Sequence, residues 1–262
     1  MIYSIHTSTF PLLSGMIASV LMVSPGAIAS PTLTAPDQPS HTAEFLVANA
    51  ANSGFDGQGR PQSRSSGGAR GGCSAQLIAL LPGTGTLSED LETCSLPATA
   101  STALTYSSRP ILWFYVPERE PHVQAELVLV DENQRAIAIE TVELPATAGI
   151  VGVTLSQEIE VDRPYGWIFS LLETNSPSLN RAVEGTLRRV DPDDVLIEQL
   201  VAAPTARDRF TLLAQQGIWH DALTELVFAR KVTPDDPVVA QDWQQFLESA
   251  GLGAIADAPL VD

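Results

Sequence analysis

The sequence predicts an α+β protein, in which an antiparallel β-sandwich of about seven strands is followed by a small C-terminal α-helical hairpin and cap. Two observations support this fold class. Between residues 73 and 190, short apolar segments of strand length are separated by turn signals, and no helical crossover lies between them. After Asp191–Asp194 the apolar residues change to a helical spacing. The segment order therefore indicates a sheet region first and a helical region of residues 191–262 second.

The predicted strands are recognised by their apolar patterns. Pro110–Pro117 (PILWFYVP) is a continuous apolar run bracketed by prolines, which is typical of a strand covered on both faces. Tyr165–Leu171 alternates large apolar residues at strict period two. The remaining predicted strands are Ala75–Leu81, Ala125–Val130, Arg135–Leu144, Gly149–Ser156 and Ala182–Val190.

The C-terminal region carries start and stop signals for four short helices. The third helix, within Gly217–Pro237, resembles one helix of a tetratricopeptide hairpin, with Ala222, Leu226 and Ala229 on one face. No second copy follows, whereas a self-supporting solenoid usually needs at least three repeats. We therefore expect one hairpin closed by a capping helix. The boundary signals are Asp193 or Asp194 and the prolines Pro204 and Pro237 at helix starts, and Gly217 and Gly251 at helix ends.

The first 29 residues carry no Asp, Glu, Lys or Arg and are predicted to be a secretory signal peptide cut after Ala29. The alternative is an uncleaved anchor, but the apolar stretch Phe10–Val23 is shorter than the ~20 residues of a membrane-spanning helix. We therefore expect an exported protein that is located in the periplasm, outside the cell or in the cell envelope. Once the signal is cleaved, no stable membrane insertion is expected.

Residues 30–72 are predicted to be a flexible linker, because Ser53–Gly72 is dominated by Gly, Ser, Arg, Gln and Pro. Arg60, Arg64 and Arg70 make this stretch basic within an acidic chain. An alternative is an arm that docks on an acidic surface, either of this chain or of a partner.

The chain has two cysteines, Cys73 and Cys94. In an exported protein an even pair most simply forms one disulfide. The alternative is two free buried thiols, because no spacing rule enforces the bridge.

The net charge of −17 excludes some partners. Phosphate contacts need clustered Lys and Arg, so we expect no nucleic-acid binding. Anionic membrane surfaces should repel the chain. The helical region, residues 191–262, carries 13 acidic and 4 basic residues, so much of the negative charge lies there.

No catalytic or metal-binding motif is present in the sequence. His41, His122 and His220 share no spacing that one element would bring together. The G-x-S-x-G elbow of serine hydrolases is absent, and nothing selects two of the many carboxylates for glycoside chemistry. We expect no metal and no cofactor, and we favour a protein without catalytic activity.

Aromatic rows on two predicted strands are the candidate ligand site. Trp113 and Tyr115 alternate on one strand, and Tyr165 and Trp167 alternate on another. Such rows could stack on sugars, or they could form the inner face of the sandwich, where large rings bury most of their area. Their aliphatic neighbours favour the core interpretation.

The start of the third helix is the candidate partner site, with Trp219, His220, Asp221 and Glu225. His220 could be a pH-sensitive contact. The favoured interpretation is that it is an exposed or capping side chain.

The order of these segments resembles a known family. The most specific stretches are Trp113–Pro117 (WFYVP) and Gly217–Leu223 (GIWHDAL), within a likeness over about residues 70–255. They are similar to the domain of unknown function 928 family of exported cyanobacterial-type proteins. The resemblance implies export and a sheet region before a helical region, and it supplies no catalytic residues.

The sequence thus favours an exported, non-catalytic binding or scaffold protein of the cell envelope. One alternative is an envelope carbohydrate-binding or carbohydrate-active protein that uses the strand aromatics. Another is an accessory factor for an envelope or secreted protein partner, bound through the helical region.

Overall fold

The computed structural model describes residues 76–83, 102–119, 123–172 and 181–261. The signal segment, the linker, Cys73, Cys94, His41 and His122 lie outside these ranges. The described strands are β1 Ile78–Ala79, β2 Ala103–Thr105, β3 Ile111–Val116, β4 Gln124–Val130, β5 Ala136–Glu143, β6 Gly149–Thr154, β7 Pro164–Leu172 and β8 Ala182–Arg189. The described helices are α1 Asp194–Ala202, α2 Ala206–Gln215, α3 Trp219–Val232, α4 Pro237–Ser249 and a 3₁₀ turn at Gly253–Ile255.

The strands form two sheets, which confirms the predicted α+β class with a sandwich-like sheet region. One sheet has three antiparallel strands in the order β1-β3-β6, and the other has five in the order β2-β8-β7-β4-β5. One pairing differs from the predicted antiparallel pattern, because β2 runs parallel to β8. Strand β2 was missing from the predicted set, since three residues between polar loops give no periodic signal.

The main core lies where the two sheets face each other. Strand β7 alternates buried and half-buried residues, so Tyr165, Trp167, Phe169 and Leu171 all point inward. Phe114 of the three-stranded sheet stacks on Phe169 with ring centroids 4.0 Å apart and meets Trp167 edge-on at 5.4 Å. These aromatic contacts join the two sheets.

The helices form a third layer on the other side of the three-stranded sheet. The Trp113 indole nitrogen donates to the Thr224 hydroxyl at 3.0 Å, and the Trp219 indole nitrogen donates to the Leu80 carbonyl at 2.9 Å. Strand β3 is therefore covered on both faces, as its continuous apolar sequence predicts.

The helix boundaries follow the sequence signals closely. Asp193 caps α1, and Asp236 caps α4 with Pro237 at its first position. Helix α2 begins two residues after Pro204, because Thr205 and Asp208 form a capping box. Gly217 and Gly251 adopt positive φ values of 68° and 73°, which favour glycine at helix ends.

The helical layer contains one hairpin closed by a further helix. Phe246 of α4 stacks on Trp219 at 4.4 Å and meets Phe210 of α2 edge-on at 5.2 Å. The face of α3 that carries Ala222, Leu226 and Ala229 is buried, as the spacing predicts. None of the helices in the described part of the chain combines the length and apolar character that crossing a membrane requires.

The C-terminal segment extends the three-stranded sheet. Ile150 donates its amide to the Pro259 carbonyl at 2.8 Å, and Val261 donates to the Ile150 carbonyl at 3.0 Å. A β-carbon on Gly149 would lie 2.7 Å from the Pro259 carbonyl oxygen, so glycine permits this close approach. The edge of β6 is thus covered by the tail.

Candidate functional site

The four strand aromatics proposed as a ligand site lie in the core. Trp113, Tyr115, Tyr165 and Trp167 expose 6%, 5%, 3% and 1% of their surfaces. Open ring faces are needed for stacking on sugars, and none is offered here. Their positions match the interpretation that these rings form the core and not the interpretation that they stack on sugars.

Glycines on the neighbouring strands explain how the tryptophans fit. Trp113 is opposite Gly152, where a β-carbon would lie 2.8 Å from the indole ring. Trp167 is opposite Gly185, whose β-carbon would overlap the Trp167 ring. Each indole therefore occupies the space of a missing side chain, which is a packing arrangement and not a binding surface.

Two of the four residues proposed as a partner site are also buried. Trp219 exposes 3% and His220 only 1% of its surface. The expectation of an exposed or capping His220 is wrong, because this residue lies on the face of α3 that packs into the protein. Burial lowers the pKa of His220 to about 3, and neither ring nitrogen has a hydrogen-bond partner within the described residues.

Asp221 anchors α3 to the end of strand β2. Its carboxylate accepts a hydrogen bond from the Tyr106 amide at 3.0 Å and another from the Thr105 hydroxyl. Desolvation raises the pKa of this carboxyl to about 6, because the cost of burying the charge exceeds the gain from its hydrogen bonds.

Around this anchor the structure assembles a small set of ionisable groups. Glu225 accepts a hydrogen bond from Arg209 of α2 at 2.8 Å. Burial, and then the charges of Asp221 and Glu225, raise the pKa of the Tyr106 phenol. A perturbed carboxyl beside a tyrosine is the kind of arrangement that catalytic sites use. Here, however, the described hydrogen bonds of Asp221 and Glu225 go to neighbouring elements and hold the layers together.

Sequence reasoning found Asp221 and Glu225 but missed Thr105 and Tyr106. Strand β2 is too short to show a pattern, and its partner Asp221 is 115 residues from Tyr106 along the chain. In the described part of the chain, no group of three or more His, Cys, Asp or Glu side chains is placed to hold a metal ion.

Exposed apolar side chains on the helices were also missed. Nine large apolar side chains are exposed in the described chain, and six of them lie on α1, α3 and α4. On α3, Phe228 exposes 46% and Val232 78% of its surface. Their four-residue spacing places them on one face, and this is the signal that could have found them. The six are Val195, Ile197, Val201, Phe228, Val232 and Val238.

The fold defines the class of this protein as α+β, with two packed sheets and a helical layer. The chain belongs to the family described as Domain of Unknown Function (DUF928), whose model matches residues 63–260. This match confirms the resemblance seen in the sequence. No curated protein matches the chain.

Similar solved structures include carbohydrate-active enzymes at low similarity. A Parabacteroides merdae beta-glucuronidase has 11% identity over 45% of this chain and 22% of its own, with a TM-score of 0.22. A Jonesia denitrificans lytic polysaccharide monooxygenase has 15% identity over 43% of this chain and 78% of its own, with a TM-score of 0.25. A Bifidobacterium dentium beta-glucuronidase has 12% identity over 57% and 32%, with a TM-score of 0.25. This chain thus spans less than a third of each glucuronidase, and matches at these TM-scores carry no functional argument.

Proposed function

We propose that this chain is an exported, non-catalytic binding or scaffold protein of the cell envelope that contacts a protein partner through its helical layer. The observation that carries the proposal is the concentration of exposed apolar side chains on α1, α3 and α4. Two pairs of these residues, Phe228 with Val232 and Ile197 with Val201, have a four-residue spacing that places each pair on one face of its helix, and exposed apolar positions rimmed by polar groups are typical of interaction sites.

The polar groups near these helices support binding over catalysis. Asp221 is engaged by Tyr106 and Thr105, and Glu225 by Arg209. A catalytic acid or base must reach a substrate proton. These carboxylates are instead used to fasten α3 to strand β2 and to helix α2.

The chemistry of the surface suggests the partner. Residues 191–262 carry 13 acidic and 4 basic side chains, so the helical layer is acidic overall, and two of the basic residues, Arg230 and Lys231, lie between Phe228 and Val232 on α3. A complementary partner would present apolar side chains to these positions, with acidic groups beside Arg230 and Lys231 and basic groups around them. We infer an envelope or secreted protein, since nucleic acid and anionic lipid are themselves negatively charged.

Site-specific photocrosslinking in the native host tests this function. A photoreactive residue at Phe228 or Val232 should capture a defined envelope protein, and excess unlabelled chain should compete for it. The matched control places the probe at Glu160, an exposed position in the loop before β7. Capture that is equal at Glu160, or absent at both helix positions, would overturn the helical layer as the contact.

Export and the absence of catalysis need separate tests. Residues 1–45 fused to a reporter should direct it to the envelope with cleavage after Ala29, and Ala29→Leu should block cleavage. The purified chain should leave glycan, ester and peptide substrates intact. Hydrolysis that a single Glu or Ser substitution removes would contradict a binding role.

A further inference from the structure

Among the described residues, the C-terminal tail forms backbone bonds with strand β6 only at Ile150. The Ile150 amide donates to the Pro259 carbonyl at 2.8 Å, and the Val261 amide donates to the Ile150 carbonyl at 3.0 Å. These bonds make a single parallel bridge between Ile150 and Leu260. The tail is thus a very short parallel strand on the outer edge of the three-stranded sheet.

The edge of β6 is longer than the tail that lies on it. Every second residue of a strand directs its amide and carbonyl to the same side, so Gly152 and Thr154 face the edge as Ile150 does. Both are exposed, and no strand in the described ranges pairs with them on this side. Two residues further on, the Ser156 amide donates to the Glu140 carboxylate at 2.9 Å. Two backbone positions between the tail and Glu140 are therefore available for pairing.

Gly149 makes room for the strand that lies on this edge. A β-carbon on Gly149 would lie 2.7 Å from the Pro259 carbonyl oxygen and 2.8 Å from the Val261 side chain. Leu260 and Val261 are half-buried and pack against the core. The edge thus binds a strand through its backbone and through two apolar side chains, which are the contacts used when a peptide adds a strand to a sheet.

The tail is held lightly beyond its last buried anchor. The Trp243 indole nitrogen donates to the Ala256 carbonyl at 2.8 Å, and this bond fixes the 3₁₀ turn. After Ala256, the side chains of Asp257 and Pro259 are exposed, and the backbone bonds to the sheet are the two at Ile150. Segments with few buried contacts open locally at a small cost in free energy.

We propose that the edge of β6 is an acceptor site for an extended apolar segment of a second protein, which pairs parallel to β6 and displaces the tail. Such a segment would make two backbone bonds at each of Ile150, Gly152 and Thr154, whereas the tail makes two in total. It would carry an apolar side chain in the place of Leu260 and a β-branched one in the place of Val261. The tail then acts as an internal occupant that keeps the site closed until the segment binds.

Fluorescence anisotropy with a labelled peptide tests the site. The peptide is ADAPLVTVTK, which is residues 256–261 followed by four residues that continue the strand. A full-length chain with Leu260→Ser and Val261→Ser, whose own tail has lost its apolar contacts, should bind this peptide. The natural chain should bind it about tenfold more weakly, because its tail must open first. Far-ultraviolet circular dichroism should show that both chains are folded.

Changes in the peptide test the bonding pattern without altering the protein. An N-methyl group on the first valine of the peptide, the counterpart of Val261, removes the donor to the Ile150 carbonyl and should abolish binding. The matched control is an N-methyl group on the leucine, whose amide faces away from β6, and binding should remain. In the protein, Gly149→Val should block the peptide, whereas Thr154→Val, an exposed change that keeps the backbone, should not.

The outcomes separate the site from the role of the tail and from the helical contact. No binding by the serine variant at millimolar peptide, or binding that ignores both the N-methyl valine and Gly149→Val, would overturn the acceptor site. Equal binding by the natural chain and the serine variant would overturn the tail as its occupant. Phe228→Lys on α3 should leave peptide binding unchanged, so this test and the crosslinking at the helices can fail independently.

Discussion

The two sheets of this protein differ in how many of their faces are covered. The three-stranded sheet lies between the five-stranded sheet and the helices, and its central strand β3 is buried along almost its whole length. Within the described residues the five-stranded sheet has one covered face, and β7 accordingly alternates buried and half-buried residues. A continuous apolar sequence thus indicates a strand that is covered on both faces, and an alternating one indicates a strand that is covered on one face.

The comparison also shows where interactions with other molecules remain possible. On the three-stranded sheet, the helices and the C-terminal tail cover a face and an edge. On the five-stranded sheet, Ile139 and the free side of β5 stay exposed among the described residues. The open features are therefore the outer edge of one sheet and the outer side of the helical layer.

The largest expected effect comes from breaking the contact that the two sheets share. Phe114→Ala removes a ring that stacks on Phe169 and meets Trp167, so it should lower the free energy of unfolding by about 3–5 kcal/mol. Urea unfolding at neutral pH measures the change. The control Ile139→Ala, on the exposed face, should cost less than about 1 kcal/mol. Equal costs for the two variants would contradict the assignment of covered and open faces.

A smaller effect should follow from filling the space above Gly185. A methyl group there would overlap Trp167 and lie 2.8 Å from Leu81, so Gly185→Ala should cost about 1–3 kcal/mol. Trp167→Phe gives room for that methyl group without losing a hydrogen bond, because the Trp167 indole nitrogen has no partner in the described structure.

A double-mutant cycle tests this packing. The Gly185→Ala and Trp167→Phe variant should cost clearly less than the sum of the two single changes. Gly253→Ala is the control, because its nearest neighbour is the flexible Glu248 side chain at 3.1 Å. Strict additivity at Gly185 and Trp167 would show that the glycine does not determine the position of the indole.

The sequence predicted most of the fold because its signals are local. Proline, aspartate and glycine marked the ends of α1 and α4, and apolar period separated strands from helices. Strand β2 was not predicted, because three residues are too few to show an apolar period. Its position is determined by contacts with β8 and with Asp221. Tertiary contacts of this kind have no signature in a short stretch of sequence.

The candidate site was less predictable for the same reason. A row of aromatic residues has the same sequence pattern whether it faces solvent or a second layer of structure. Only the helices packed on β3 show that Trp113 is buried. His220 lies between Trp219 and Asp221, and a rotation of 100° per residue separates a fully buried position from a partly exposed one. The chain sequence alone did not fix which face of α3 meets the sheet.

The smallest expected effect concerns the pH dependence of this helical cover. The folded chain raises the pKa of Asp221 from 3.8 to about 6, so stability from this group is greatest at low pH and is lost as pH rises through 6. It lowers the pKa of His220 from 6.5 to about 3, so that contribution is present above 6.5 and is lost as pH falls. Between about pH 4 and 6 the two contributions therefore oppose each other.

Removing either group should expose the contribution of the other. With Asp221→Asn, the free energy of unfolding should rise more with pH between about 4 and 6 than it does in the natural chain, because of these two groups only His220 remains. With His220→Leu it should rise less, or fall, over this range, because of the two only Asp221 remains. Above pH 6.5 the leucine variant should be as stable as the natural chain or slightly more so, since a buried ring without hydrogen-bond partners is gone.

Urea unfolding at several pH values measures these slopes while Tyr106, Glu225 and Arg209, which surround Asp221, stay unchanged. Identical slopes in both variants would show that these two side chains do not control the response to pH.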